Sequence, residues 1–303
     1  AVLVLAAVLL GGFYIYMLDY YRADDDTAGT YSAGQYKSEN LDNAYVFYPD
    51  SAADKNIGLI FYPGGKVEAI AYAPLLDKIS QSGVTCVLLE MPFNLAVFDI
   101  KAAEKVYDAF PEIDSWFLMG HSLGGAMASS YVEKNYFKLE GLILLGAYPI
   151  NDADVPTIAI YGSEDMGLDE EKLAAAQIQY EIVGGNHAYF GNYGEQKGDG
   201  TASITRESQQ EQAVEQIMLF IENTLSHGGS RDKKVIVITG SSKGIGFGLA
   251  QCFLAEGHTV VITGTSQKSV DEASDKLKEF KDVLPLICDV RSRQSIDDVI
   301  PQT

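Results

Sequence analysis

Apolar residues in this chain come in short, dense runs set between polar turns. Runs at 44–48, 57–62, 84–89, 115–119, 141–145, 157–161 and 180–183 are four to six residues long, the texture of strands buried on both faces. Segments near 69–81, 100–109, 124–135, 169–177 and 207–225 carry helical apolar spacing between them. That alternation predicts a mostly parallel sheet with helices on both faces. The stretch from Leu145 to Thr157 is only about a dozen residues, so no lid is expected over an open site. A second alternation starts at Lys233–Ile238 and continues through Thr259–Thr263 and Leu284–Ile287. The pattern therefore divides the chain into an α/β domain over 43–227 and a smaller α/β piece over 228–303.

The first 18 residues form a nearly unbroken apolar run, with Tyr14, Tyr16, Tyr20 and Tyr21 clustered at its end. About 20 apolar residues span a bilayer, and tyrosines gather at its interfaces. Residues 1–18 are thus predicted to be a transmembrane anchor, and 19–42, rich in Asp, Gly, Ser and Thr, a polar linker. No initiator Met or basic leader precedes the run, so its upstream end is expected to be missing. Given a basic start, a single-pass protein with an extracytoplasmic α/β domain is expected.

Composition adds bounds rather than detail. At 303 residues and 47% apolar content the chain can bury a sizeable core. Forty-two acidic against 22 basic residues give a net charge of −20, which disfavours nucleic acid or an anionic membrane surface as a partner. Cys86, Cys252 and Cys288 lie far apart in apolar settings and read as buried thiols. No spacing of His, Cys or carboxylates suggests a metal.

Chemistry enters at Gly120-His121-Ser122-Leu123-Gly124, which follows one apolar run and leads into the small residues 125–130. Gly-x-Ser-x-Gly between strand and helix makes a turn so sharp that only small flanking residues fit. It lifts the serine hydroxyl clear of the sheet, above a helix N-terminus. Ser122 is the candidate nucleophile, and it needs a base and an orienting carboxylate further along the chain. Of the downstream histidines, His227 sits at a helix stop and His258 belongs to the later piece. His187 remains, in the loop Gly184-Gly185-Asn186-His187-Ala188. Asp165, ending Gly162-Ser163-Glu164-Asp165, is the candidate acid, with Glu164 and Asp169 as alternatives. Oxyanion donors are expected from the Leu123 amide and from Gly65 or Lys66 in the loop Pro63-Gly64-Gly65-Lys66-Val67. Tyr and Phe residues of the long Gly-rich loop 189–200 either wall a pocket or pack the loop down.

Four motifs stand in one order along residues 43–226: Tyr62-Pro63-Gly64-Gly65, Gly120 to Gly125, Gly162 to Asp165 and Gly184 to His187. In that order they resemble the α/β-hydrolases. The resemblance implies a serine hydrolase acting on carboxylic esters through an acyl-enzyme, with a small-molecule ester as partner and no cofactor. An acyltransferase using the same triad is the alternative.

The later piece carries Thr239-Gly240-Ser241-Ser242-Lys243-Gly244-Ile245-Gly246 between a strand and a helix. Its glycines permit a tight turn and close backbone approach to a pyrophosphate at the helix N-terminus. The spacing resembles the short-chain dehydrogenase/reductase fingerprint, which implies cofactor contacts at Gly240, Ser242, Lys243, Gly244, Ile245 and Gly246. It further implies adenine contacts at Asp289 and Val290. The strand 259–263 ends without an acidic residue, and Lys243 is basic, so the resemblance implies NADP over NAD. Residues 231–303 hold no Tyr-x-x-x-Lys pair. This half-domain is therefore expected to lack dehydrogenase activity and to be poorly stable alone. A fragment spanning two reading frames, joined near Ser226–Ser230, is expected; a bifunctional protein with an NADP-dependent oxidoreductase part is the alternative.

Overall fold

The computed structural model describes residues 11–12, 16–32, 34–49, 56–151, 155–228, 234–255, 257–278, 280 and 282–299. The chain forms two compact units that meet between Thr224 and Leu225. In the first, a short helix α1 (Asp25–Tyr31) precedes β1 (Ala44–Phe47), β2 (Ile57–Tyr62), α2 (Ala73–Ser80) and β3 (Thr85–Leu89). Then come α3 (Glu104–Ala109), β4 (Ser115–His121), α4 (Leu123–Asn135), β5 (Gly141–Leu145) and β6 (Thr157–Gly162). The short α5 (Glu170–Leu173), β7 (Ile178–Ile182) and the long α6 (Arg206–Gly228) follow.

The seven strands lie in the order β1-β3-β2-β4-β5-β6-β7. Every neighbouring pair is parallel except β1 with β3. Side chains of β2, β4 and β5 are buried along both faces, apart from the half-buried Ser115, which explains why their sequences read as continuous apolar runs. The strand order reverses direction beside β2 and β4, and in such sheets ligands bind beyond the carboxyl ends of the strands at that point.

One expectation is corrected here, together with the placement that rested on it. The transmembrane helix over 1–18 does not stand. Among the described residues no helix is long and apolar enough to cross a membrane; residues 1–10 and 13–15 lie outside them. In the described part of the run Met17 is buried and the Lys66 ammonium lies 4.0 Å from the centre of the Tyr16 ring, while Tyr16 and Leu18 are exposed. The expected single-pass, extracytoplasmic placement falls with the helix. The segment 19–42 also does more than link. Asp24 caps α1 by accepting from the Thr27 amide at 2.9 Å, and the Tyr31 hydroxyl donates to Asp77 on α2 at 2.8 Å.

The helix expected over 169–177 is shorter. Asp169 caps it, but α5 ends at Leu173, because Gln177 turns to the sheet and accepts the Thr157 amide at 2.8 Å.

The second unit is a sheet of β8 (Val235–Ile238), β9 (Thr259–Gly264) and β10 (Val283–Ile287) in the order β10-β9-β8, all parallel. Helices α7 (Gly244–Ala255), α8 (Gln267–Lys276) and α9 (Arg293–Val299) complete it. Only β9 is well buried; Val235 and Val237 on β8 remain about half exposed.

Candidate active site

Ser122 is the single residue between the end of β4 and the start of α4, at φ 51° and ψ −122°. A side chain at positive φ is strained, and the surroundings hold it there. The Ser122 amide donates to the Leu145 carbonyl at 2.9 Å. The turn closes so tightly that a Cβ on Gly124 would come within 2.2 Å of the carbonyl oxygens of Tyr62 and Pro63. One on Gly120 would come within 2.6 Å of the Gly124 backbone. The small residues of the motif are thus demanded by backbone, not by flexible side chains.

His187 and Asp165 meet directly, with Nδ1 and Oδ2 2.6 Å apart and the Asp165 side chain fully buried. A carboxylate only accepts, so Nδ1 carries the proton and Nε2 is left as a base. The second carboxylate oxygen accepts from the Gly167 amide at 2.9 Å. The pair stands beside the serine. Gly146 follows the residue whose carbonyl takes the Ser122 amide, and a Cβ on it would lie 3.0 Å from His187 Nδ1. Of the alternative acids, Glu164 accepts from Ser163 and Asp169 caps α5; neither bonds to His187.

The loops carrying these residues are stitched together. The Glu164 amide donates to the Gly185 carbonyl at 2.8 Å, and the Gly184 amide to Ser163 Oγ at 2.8 Å. Asp199 accepts from the amides of His187 (3.0 Å) and Ala188 (2.8 Å). Gln209 on α6, fully buried, brackets Asn186, accepting from its amide at 2.9 Å and donating to its carbonyl at 2.7 Å. Neither Asp199 nor Gln209 was visible as functional in the sequence, where each is one polar residue among many.

The expected oxyanion donors separate. The Lys66 amide is already engaged, donating to the Asn94 carbonyl at 2.8 Å, and its ammonium turns away toward Asp19 at 3.4 Å. The Gly64 amide donates to the Tyr72 hydroxyl at 3.2 Å. Gly65 packs on Leu123, where a Cβ on it would meet Leu123 Cδ2 at 2.8 Å. Gly65 and Leu123 are thus adjacent residues.

His121, read in the sequence only as the variable residue before Ser122, is fully buried with its ring 4.6 Å from that of His187. Burial, and then the neighbouring His187, hold it well below the ordinary histidine value of 6.5, so it is neutral. Phe190 packs on it at 5.7 Å and Tyr193 lies 6.2 Å from Tyr72, so these loop aromatics pack the loop down.

Residues 16–24 pair with the loop that holds Gly65. The Tyr21 amide donates to the Lys66 carbonyl at 2.7 Å, and the Glu68 amide to the Tyr21 carbonyl at 2.9 Å. On the other side the Tyr21 hydroxyl accepts from the Lys197 amide at 3.1 Å. The Asp24 amide reaches the Asn192 carbonyl at 2.9 Å, and Arg206 meets the Asp24 carboxylate at 3.0 Å. This strap therefore joins the Gly65 loop to the loop that follows His187.

In the second unit, the turn between β8 and α7 places Gly240 at φ 70° and Gly244 at φ 63°, with no atom within 4 Å of where a Cβ would stand on either. A Cβ on Gly246 would instead meet the turn, at 2.9 Å from the Gly240 carbonyl oxygen. Lys243 and Ile245 are exposed beside it and Ser242 is half-buried. This open backbone at a helix N-terminus fits a pyrophosphate. Asp289 fits less simply: Arg291 grips its carboxylate at 2.7 and 2.9 Å and holds it at about 2, while Val290 is exposed.

Residues 58–211 match the alpha/beta hydrolase family, and residues 234–303 match the short chain dehydrogenase family. The later stretch is similar to tropinone reductase-like 3 of Erythroxylum coca, 41% identical over 71 residues, which are 23% of this chain and 28% of that protein. The chain thus spans under a third of the length of the curated relatives it matches. Among solved structures, it is similar to a soluble variant of monoglyceride lipase from Saccharomyces cerevisiae in complex with a substrate analog. That match is 10% identical over 62% of this chain and 95% of the other, at a TM-score of 0.49. Est1E from Butyrivibrio proteoclasticus with bound ferulic acid is 16% identical over 58% and 94% of the two chains, at 0.43.

Proposed function

Because the chain belongs to the alpha/beta hydrolase family, we propose that its first unit is a serine hydrolase of small carboxylic esters. The contact of 2.6 Å between His187 and Asp165, beside a serine held at φ 51°, carries this reading. Ser122 Oγ attacks the ester carbonyl carbon while His187 Nε2 takes its proton. Asp165 keeps the imidazole in the tautomer that leaves Nε2 free and stabilises the imidazolium that forms. The carbonyl oxygen becomes an oxyanion facing the amides of Leu123 and Gly65, which need no reorganisation to receive it. Collapse breaks the bond to the alkoxy group, which leaves as the alcohol with the proton from His187. Water then repeats the sequence on the acyl-enzyme, releasing the acid and restoring Ser122. Every group used belongs to the protein, and the net charge of −20 favours neutral esters over polyanionic substrates.

A second reading attaches to the second unit, on the open turn at Gly240 and Gly244. Gly240, Ser242, Lys243, Gly244, Ile245 and Gly246 would hold the pyrophosphate of a nicotinamide cofactor, which supplies a hydride when bound. Lys243 favours the phosphate of NADP. A change in NADPH fluorescence on titration, lost in Gly244→Val, is the observation expected.

The hydrolase reading is tested with a fluorophosphonate probe. Labelling of the wild type is expected, with none in Ser122→Ala. In His187→Ala both labelling rate and ester turnover should fall by roughly 10⁴-fold or more. A folded wild type that takes no label overturns the reading. Added alcohols that divert the acyl group into new esters would turn it toward an acyltransferase.

A further inference from the structure

A chain of hydrogen bonds runs behind Ser122 through residues that take no part in the reaction itself. The Gly64 amide donates to the Tyr72 hydroxyl at 3.2 Å. The Tyr72 hydroxyl lies 2.7 Å from His121 Nδ1, and His121 Nε2 lies 3.1 Å from the carbonyl oxygen of His187. Both side chains are fully buried.

The proton positions follow from what each group can do. A carbonyl only accepts, so His121 Nε2 must carry the ring's proton and donate. Nδ1 of a neutral ring is then a bare lone pair, which accepts from the Tyr72 hydroxyl. That hydroxyl, its one proton committed, accepts from Gly64. Each donor in the chain faces an acceptor, and reversing the His121 tautomer would set a lone pair against the His187 carbonyl oxygen.

The two ends of this chain are functional loops. Gly64 immediately precedes Gly65, the oxyanion donor proposed above. The His187 carbonyl belongs to the base, whose own amide is held by Asp199 at 3.0 Å. His121 is bonded in sequence to Ser122. Nucleophile, base and oxyanion donor are therefore all referenced to one buried imidazole. We propose that His121 and Tyr72 are positioning residues for ester hydrolysis, a tautomer-locked relay that fixes the Gly65 loop and the His187 loop relative to Ser122. This rests on the serine-hydrolase reading for the reaction but not for the relay itself.

The role is geometric, and misplacing a reacting group by about 1 Å can cost roughly 100-fold in rate. It is also electrostatic. His187 becomes a cation in the reaction with its ring 4.6 Å from that of His121, and a neutral neighbour of fixed tautomer adds no opposing charge.

The test combines kinetics with nitrogen NMR on the full chain. The protein has four histidines, so ¹⁵N-histidine spectra assigned by substitution are tractable. At neutral pH His121 is expected as the neutral ring with its proton on Nε2 and a hydrogen-bonded Nδ1. Tyr72→Phe keeps the ring and removes the hydroxyl. It should shift the Nδ1 resonance and lower kcat for p-nitrophenyl acetate by roughly 10–100-fold with KM little changed. His121→Gln can still donate to the His187 carbonyl and should retain more kcat than His121→Leu. An Nδ1-protonated or charged His121 in the wild type overturns the relay, whether or not any variant folds. Folded Tyr72→Phe and His121→Leu with wild-type kcat overturn the positioning role. A wild type with the expected tautomer but no fluorophosphonate labelling would instead sink the hydrolase reading.

Discussion

Four non-glycine residues hold positive φ among the described residues: Lys66, Phe93, Asn94 and Ser122. Such conformations cost of order 1–3 kcal/mol each and persist only where neighbours impose them. Here Ser122 is held by Leu145, and Lys66 and Asn94 hold each other through one hydrogen bond of 2.8 Å. The strain is gathered at Ser122, at Lys66 and in the Phe93–Asn94 turn bonded to Lys66. Gly124 shows how little slack remains. Gly124→Ala places a methyl against two backbone oxygens at 2.2 Å, so the Tyr62–Gly65 segment must retreat. The expected outcome is a loss of about 1–3 kcal/mol in stability and at least ~100-fold in turnover. Urea unfolding read by Trp116, the only tryptophan, checks the first, and an ester assay the second. A folded variant with wild-type turnover would contradict this account. Gly29→Ala in α1, where no atom lies within 4 Å of the added methyl, is the control and should be neutral or stabilising by up to about 1 kcal/mol.

At the scale of elements, the loop 184–200 is held by side chains that lie outside every motif. Gln209→Met keeps the volume but strands the amide and carbonyl of Asn186 in the interior. An unmet buried group costs about 1–3 kcal/mol, so with two such groups a loss of about 2–6 kcal/mol is expected in the Trp116 urea transition. A loss below about 0.5 kcal/mol would mean that the loop is held by something else. The sequence made the strands legible because burial on both faces leaves nothing but apolar residues in β2, β4 and β5. It made Ser122, Asp165 and His187 legible as candidates because a sharp turn needs glycine and the three motifs follow one another in order. Other parts were hidden. The strap at 16–24 is joined to the Lys66 loop chiefly through the amide and carbonyl of Tyr21, and backbone groups leave no pattern in a sequence. Its aspartates and tyrosines therefore read as linker and membrane interface. The Lys66 amide is engaged by the Asn94 carbonyl, presented from a strained turn without glycine that the sequence does not signal. His121 was passed over because a motif treats its variable position as empty of meaning.

At the scale of the whole molecule, the two units differ in how well their sheets are enclosed. Among the described residues the first has seven strands with a buried centre; the second has three, of which only the middle one is buried. In the first unit two loops are joined by a piece of chain from far away in sequence. Tyr21 lies 45 residues before Lys66 and 176 before Lys197, yet touches the loops of both. Tethered in this way, the strap is present at the two loops at an effective concentration of order millimolar. A cut in the exposed stretch 39–40 would turn that fixed value into a variable one. The nicked protein is expected to lose turnover on dilution, to regain it when a peptide of residues 16–31 is added, and to differ in both respects from the intact chain. Turnover that ignores dilution after the cut would show that the strap is dispensable. The first stretch of chain would then behave as a ligand of the remainder, with an occupancy set by mass action instead of by covalent bonds.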